Sequence, residues 1–240
     1  NIAYNFMLDL KPERQKILSS IIKAKYVHAD ETGFRKDGLG GYVWGDFTKN
    51  KAIFMASMSS ERKNIQKLIG KYTKVVVVDG YNAYDIYEHK QRCWAHLLRE
   101  FKSYAEDDPE ITIQYVRLKK LYEKLKLLNN KPPDEKAIRK VKWERKDIMT
   151  CLEAIKRTNK LITLIKNGGN DWFTALYHKD VPLQNNHAER ELRPIVLLRK
   201  TIGCYRNNKG KMWIDIVLSV IHTWRLQNKN LFQNLKAIQN

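Results

Sequence analysis

The sequence predicts an α/β domain, with a mixed sheet of five strands flanked by helices and an all-helical insertion. Three observations carry that expectation. Val75, Val76, Val77 and Val78 follow one another with no polar interruption, the short continuous apolar run of a strand buried on both faces. Upstream, three segments of strand composition are separated by tight connections and joined to the valine run by a helical stretch. Downstream, between about residues 111 and 167, the apolar spacing changes to that of helices.

Residues 1–24 form a lead-in, in which Ile17, Leu18, Ile21 and Ile22 recur at helical spacing. The first part of the core spans 25–104. Residues 25–34, K-Y-V-H-A-D-E-T-G-F, read as a strand carrying Asp30 and Glu31, and 41–48 and 51–58 as the next two strands of an antiparallel meander. Ser59 or Ser60 is expected to cap a helix with Glu61 in its first turn and Ile65, Leu68 and Ile69 on its inner face. The valine strand stops on Asp79, and Gly80 lets the backbone turn. An acid therefore stands at the carboxyl end of a central strand, where open α/β sheets place their ligands. A right-handed crossover would set this strand parallel to the first and beside it, bringing Asp30 and Asp79 to neighbouring strand ends. Residues 81–87 are helix-like, 91–97 are expected as the fifth strand and 98–104 as a helix.

The helical insertion is placed at 105–180. Leu118, Leu121, Leu125 and Leu128 form one apolar seam; Ile138, Val141, Ile148, Leu152, Ile155 and Ile162 form a second after the breaker N-N-K-P-P-D. This reads as a helical hairpin whose other faces are rich in lysine and arginine. Those faces suit solvent or a DNA track, and the seam is equally able to serve self-association. The core resumes over 181–240. In N-H-A-E-R-E-L-R-P, Glu189 and Arg193 share a helix face, with Asn186 one turn before and Leu192 turned to the core. Pro194 lacks the N–H that would bond Arg190, so a kink or break is expected at Arg193. A last helix over 211–227 is expected to bury Trp213, Ile216, Val217, Val220 and Trp224.

With 45 Lys and Arg against 26 Asp and Glu, the formal net charge is +19, which points to a polyanionic partner, nucleic acid first. Cys93, Cys151 and Cys204 are odd in number and form no C-x-x-C pair, which argues against a disulfide framework or a cysteine zinc site and for a reducing compartment. No apolar run has membrane-spanning length and no signal-peptide pattern opens the chain, so a soluble, cytoplasmic protein is expected, nucleoid-associated where nucleic acid is its partner. The chain begins at Asn1 without an initiator methionine, which suggests a fragment of something longer.

Asp30, Asp79 and Glu189 together are the set that holds two hard divalent ions roughly 4 Å apart for phosphodiester chemistry, and carboxylates suit magnesium or manganese. Glu31 competes with Asp30 for the first position, and strand alternation sends the two to opposite faces. Glu191 competes with Glu189, but lies about 200° round the helix from it and has no arginine one turn on. Asn186, Arg190 and Arg193 flank the third acid as candidate phosphate contacts; Arg199, Lys200 and Arg206 extend the basic stripe as salt-sensitive ones. His28, Trp94 and His96 are candidates for supporting positions around the pocket. Cys93 and His96 have no second pair at zinc spacing.

H-A-D-E-T-G at residues 28–33, V-V-V-D-G-Y-N-A-Y at 76–84, Q-R-C-W-A-H-L-L-R at 91–99 and N-N-H-A-E-R-E-L-R-P-I-V-L-L-R-K at 185–200 occur in this order, and together they resemble the insertion sequence 66 family of transposases. The resemblance runs from about Val27 to the C-terminus. It implies a ribonuclease H-like catalytic domain with Asp30, Asp79 and Glu189 as its DDE triad, favouring Asp30 over Glu31. Two Mg2+ or Mn2+ ions per site would serve to nick DNA at transposon ends and join the freed 3′ hydroxyls to target DNA. Such transposases usually carry N-terminal DNA-binding segments, which are expected to be absent from this stretch of sequence. A homodimer on DNA is the expected assembly. The rival readings are a structure-specific nuclease of the same fold and a catalytically inert DNA-binding or assembly module.

Overall fold

The computed structural model describes residues 2–58, 62–70, 72–129 and 131–239. In chain order the elements are α1 (Ile2–Asp9), α2 (Lys11–Lys23), β1 (Tyr26–Gly33), β2 (Arg35–Lys36), β3 (Tyr42–Thr48), β4 (Lys51–Ser57), α3 (Arg62–Ile69), β5 (Val75–Val78), a 3-10 turn (Asn82–Ile86), β6 (Lys90–Arg92), α4 (Trp94–Ala105), α5 (Pro109–Asn129), α6 (Glu135–Glu153), α7 (Asn159–Gly168), two further 3-10 turns (Gly169–Trp172 and Thr174–Tyr177), α8 (Asn186–Ile202), β7 (Cys204–Tyr205), α9 (Asn208–Met212), a π-helical turn (Trp213–Leu218), α10 (Ser219–Leu226) and α11 (Leu231–Gln239). The expected cap at Ser59 or Ser60 and the acid Glu61 lie outside the described residues. Contacts divide the chain into two compact units, one of residues 1–74, 81–88 and 186–240, the other of 75–80 and 89–185. The five main strands are mixed in direction: β1, β3 and β4 pair antiparallel in the first unit, and β5 and β6 pair parallel in the second.

In the first unit, period-two alternation divides the strands between two faces. Asp30 stands opposite Gly45 and His28 opposite Phe47, while Ala29 stands opposite Asp46 and Glu31 opposite Trp44. The face bearing Phe47 and Val43 packs on Ala188, Leu192 and Ile195 of α8, together with Phe34, Phe54, Tyr205 and Ile214. The other face carries Trp44, whose ring meets Tyr84 edge-on at 6.0 Å. The outer edge of β4 is covered. Its Ala52, Phe54 and Ala56 N–H groups donate to Thr223 Oγ1, Ser219 Oγ and Asp215 Oδ1 at 3.0, 2.9 and 2.7 Å. Acceptors at spacings of four thus satisfy every second backbone donor of the edge, which would otherwise template the pairing of another chain.

The second unit is held by Trp94, Trp172 and Phe173, all fully buried. Trp94 Nε1 donates to the Trp172 carbonyl at 2.7 Å and Trp172 Nε1 to that of Ile165 at 3.0 Å, so the large rings bury no unmet donor. Leu118, Leu121 and Leu125 of α5 and Ile138, Val141, Ile148 and Leu152 of α6 are buried, the seam expected of a helical hairpin.

Four expectations are corrected. Only Lys90–Arg92 is strand, and the helix begins at Trp94, because Trp94, Leu97 and Phe101 bury one helical face. The second arm of the hairpin is two helices, parted where Arg157 takes φ 68° and the buried Thr158 hydroxyl donates to the Leu152 and Ile155 carbonyls. Helix α8 runs through Pro194 without a break; burial of Leu192 and Ile195 on either side outweighs the lost hydrogen bond. Trp213 is 39 % exposed rather than buried, because the π-helical turn shifts the register there, while Ile216, Val217, Val220 and Trp224 are buried as expected.

Candidate active site

Asp30 and Glu31 diverge as alternation requires, and each meets a different helix layer. Asp30 lies on the face covered by α8, its Oδ1 accepting the Glu31 backbone N–H at 2.9 Å. Glu31 lies on the opposite face, where the buried Tyr84 hydroxyl donates to its Oε2 at 2.7 Å. Burial first, and the Glu31 charge beside it, raise the Tyr84 phenol well above its ordinary range, so Tyr84 stays a proton donor.

Helix α8, which carries Glu189, lies along β1 over its length. The His187 ring is 5.0 Å from the ring of His28, and further along, Arg199 donates to Thr32 Oγ1 at 2.9 Å and to the Gly33 carbonyl at 2.6 Å. Asp30 and Glu189 therefore sit on a strand and helix packed on each other, with Glu189 half-buried. Asn186, Arg193, Lys200 and Arg206 are exposed. Arg199 and Lys200 border a recess of about 510 Å³ with Arg35, Gly33, Gly40 and Gly203. Beside it the β2 and β7 strands pair in parallel, an element the sequence did not announce.

Glu191 has a structural setting that the sequence did not reveal. It is buried, accepting from Arg190 Nε at 2.8 Å and His222 Nε2 at 2.9 Å. Arg190 Nη2 also donates to His187 Nδ1 at 2.8 Å, and His187 Nε2 donates to the Thr48 carbonyl at 2.8 Å. The guanidinium of Arg190 is thus engaged within this network. Burial alone would raise the Glu191 carboxyl, but the bonds from Arg190 and His222 hold it below its ordinary value. Burial lowers His222, with Glu191 opposing. Both directions predict acid sensitivity: as pH falls below about 6.5 the unfolded chain takes up protons that the folded His222 declines, and stability from Glu191 is lost as pH falls through its lowered value. Glu191→Ala, which leaves His222 and Arg190 without their shared acceptor, is expected to cost about 3 kcal/mol. An unchanged denaturant midpoint would refute this role.

Asp79 follows β5 directly in the second unit. Gly80 behind it has φ 117°, and its carbonyl accepts from Arg92 Nη2 at 2.6 Å. A Cβ on Gly80 would lie 2.1 Å from that same nitrogen, so a side chain there strains the backbone and must displace the Arg92 guanidinium. The Arg92 guanidinium is packed on Trp172 at 5.3 Å. Gly80→Ala is expected to lose about 3 kcal/mol and displace Asp79; chemical denaturation checks it, and wild-type stability would contradict it.

His28, on the Asp30 face, is 5 % exposed and packs against Tyr26 and His187. Trp94 is core to the second unit, as described above. His96 is half-buried on the first turn of α4. Asp46 was not singled out by the sequence. It is 2 % exposed, its Oδ2 has no hydrogen-bond partner among the described residues, and burial pushes its carboxyl up to about 8.

Among the described residues no three His, Cys, Asp or Glu side chains are grouped to hold a metal ion, and no helix is long and apolar enough to cross a membrane. The three cysteines are free thiols. A family model described as Transposase IS66 family matches residues 2–212. No curated protein and no solved structure matches the chain.

Proposed function

The chain belongs to the Transposase IS66 family, and from that premise we propose that it is the catalytic part of a DNA transposase with a ribonuclease H-like arrangement of Asp30, Asp79 and Glu189. The observation that carries this reading is the placement of Asp30 on the α8 face of its strand, the face of the helix that bears Glu189, while Glu31 is turned away and held by Tyr84. The chemistry of each donor suits a hard divalent cation, since a carboxylate offers only oxygen, the ligand that Mg2+ and Mn2+ take, although no three such groups are drawn together for an ion among the described residues. Two such ions, when bound, would activate the attacking water or 3′ hydroxyl and stabilise the leaving oxygen.

The chain's own part is charge and placement. Asp30, Asp79 and Glu189 would hold the ions; the exposed Arg193, Lys200 and Arg206, with Asn186, would grip backbone phosphates near the scissile bond. Arg190 and Arg199 are engaged with Glu191 and with Thr32 and Gly33, so their bonds to phosphate would be made in competition with those partners. His28 and His96 would act as supporting residues. DNA is the partner in this reading, and pairing of two ends makes a dimer on DNA the working assembly, from a chain that alone is a monomer or weak dimer.

The test is incubation of labelled transposon-end DNA and plasmid target with magnesium or manganese. Joined products support the transposase; cleavage without joining indicates a nuclease; binding with neither indicates an assembly module. Within that assay Asp30→Asn is expected to lose product at least about a hundred-fold, whereas Glu31→Gln, which removes the charge facing the Tyr84 hydroxyl, should stay within about three-fold of wild type. Equal losses in the two variants would remove the assignment of Asp30.

A further inference from the structure

Beyond its first turn, helix α6 directs its acids to neighbouring helices. Glu144 pairs with Lys124 at 2.7 Å, Asp147 with Arg117, and Glu153 with Lys166 at 3.0 Å. Two of its cations are likewise engaged, Lys142 and Arg145 lying 5.8 and 5.2 Å from the Phe173 ring centre. Lys136, Arg139, Lys140 and Lys146 are exposed and have no acidic partner among the described residues. At 100° per residue these four fall within roughly 60° of Trp143 round the helix and extend over about 15 Å; Asp147 falls in the same arc, about 40° from Trp143, with its charge paired to Arg117. Trp143 itself is 63 % exposed, whereas Trp44, Trp94, Trp172 and Trp224 are at most 2 % exposed.

A large indole left in water amid uncompensated cations has a restricted choice of occupant. A second copy of the same face would set four cations against four, a like-charge juxtaposition that disfavours self-association. A polyanion presenting flat aromatic faces satisfies both features at once. Duplex DNA offers the phosphates but keeps its base faces stacked on one another; unpaired bases offer both.

We propose that the outer face of α6 docks DNA carrying unpaired bases, with Trp143 stacking on a base and Lys136, Arg139, Lys140 and Lys146 contacting the backbone. The proposal rests on the transposase reading in taking DNA as the partner, and it assigns to the helical segment the recognition of single-stranded character in that DNA.

The experiment is anisotropy with a labelled oligothymidylate of roughly 20 nucleotides and a duplex of the same length, using the whole chain. Trp143→Ala is expected to weaken single-strand binding about ten-fold or more and duplex binding less than about three-fold, with Trp143→Phe recovering most of the loss. The fluorescence difference between wild type and Trp143→Phe, which isolates this one indole, should be quenched by the oligonucleotide. Joint replacement of Arg139 and Lys140 by alanine should lower the salt-dependence slope by about 1.4, roughly 0.7 for each released phosphate contact. Equal single-strand affinity in wild type and Trp143→Ala would overturn the proposal. So would a shift from dimer to monomer in Trp143→Ala with DNA affinity unchanged, which would make the face a protein interface. Absence of joined products with Trp143-dependent binding intact would sink the catalytic reading and leave this one standing.

Discussion

Asp79→Asn is expected to reduce magnesium-dependent DNA cleavage and joining by at least about a thousand-fold while leaving affinity for end DNA within about two-fold. The amide keeps the size of the carboxyl and removes its charge, and a hard divalent ion discriminates strongly between the two. The position allows no easy substitute. Asp79 follows directly on a buried strand and precedes Gly80, whose φ of 117° and contact with Arg92 fix the direction of the chain. The affinity should survive because backbone contacts, distributed over many cations on a chain of net charge +19, do not depend on one acid. Gel analysis of joined and nicked products gives the first number and anisotropy the second. Product at wild-type level from Asp79→Asn would overturn the triad, and loss of binding in step with activity would mean that the variant is misfolded.

The second large effect is on stability and has the opposite sign. Asp46→Asn is expected to stabilise the protein by a few kcal/mol at pH 7, about 5 to 10 °C in melting temperature for a chain of this size. Asp46 is buried, its charge when ionised is felt by the phenols of Tyr72, Tyr84 and Tyr87, and its carboxyl is held near 8 against an ordinary value of 3.8. Between those values the unfolded chain releases a proton that the folded one keeps, so wild-type stability falls as pH rises from about 4 to 8. In the amide variant that slope should vanish, leaving the acid-side loss from Glu191 and His222. Melting curves over pH 5 to 8 decide it: parallel profiles for the two proteins would show that Asp46 is not the group responsible.

How far the sequence reads can be traced residue by residue. The valine strand ending on an acid, the three-strand meander, the hairpin seam and the separation of Asp30 from Glu31 all followed from period-two or period-3.6 spacing. The motif order of the four segments carried the family, which the match over residues 2–212 shows. The failures share a cause. Local propensity at Pro194 predicts a kink or break, and the burial of Leu192 and Ile195 carries the helix on through it; the strand expected over 91–97 shortens to Lys90–Arg92 because Trp94 and Leu97 fit either element until a helical core claims them.

Local spacing by itself determined which residues line each face, and therefore that Asp30 and Glu31 point apart and that Glu189 belongs to a helix with an apolar side. Only the tertiary structure decided that Glu191 is engaged by His222 and Arg190, that Asp46 is buried, and that Asp215, Ser219 and Thr223 seal the edge of β4. The reason is physical: spacing along a chain reports on neighbours within one turn or one strand, whereas a charge or an edge hydrogen bond is settled by groups more than 30 residues away, as His222 is from Glu191, whose arrival depends on which surfaces bury together.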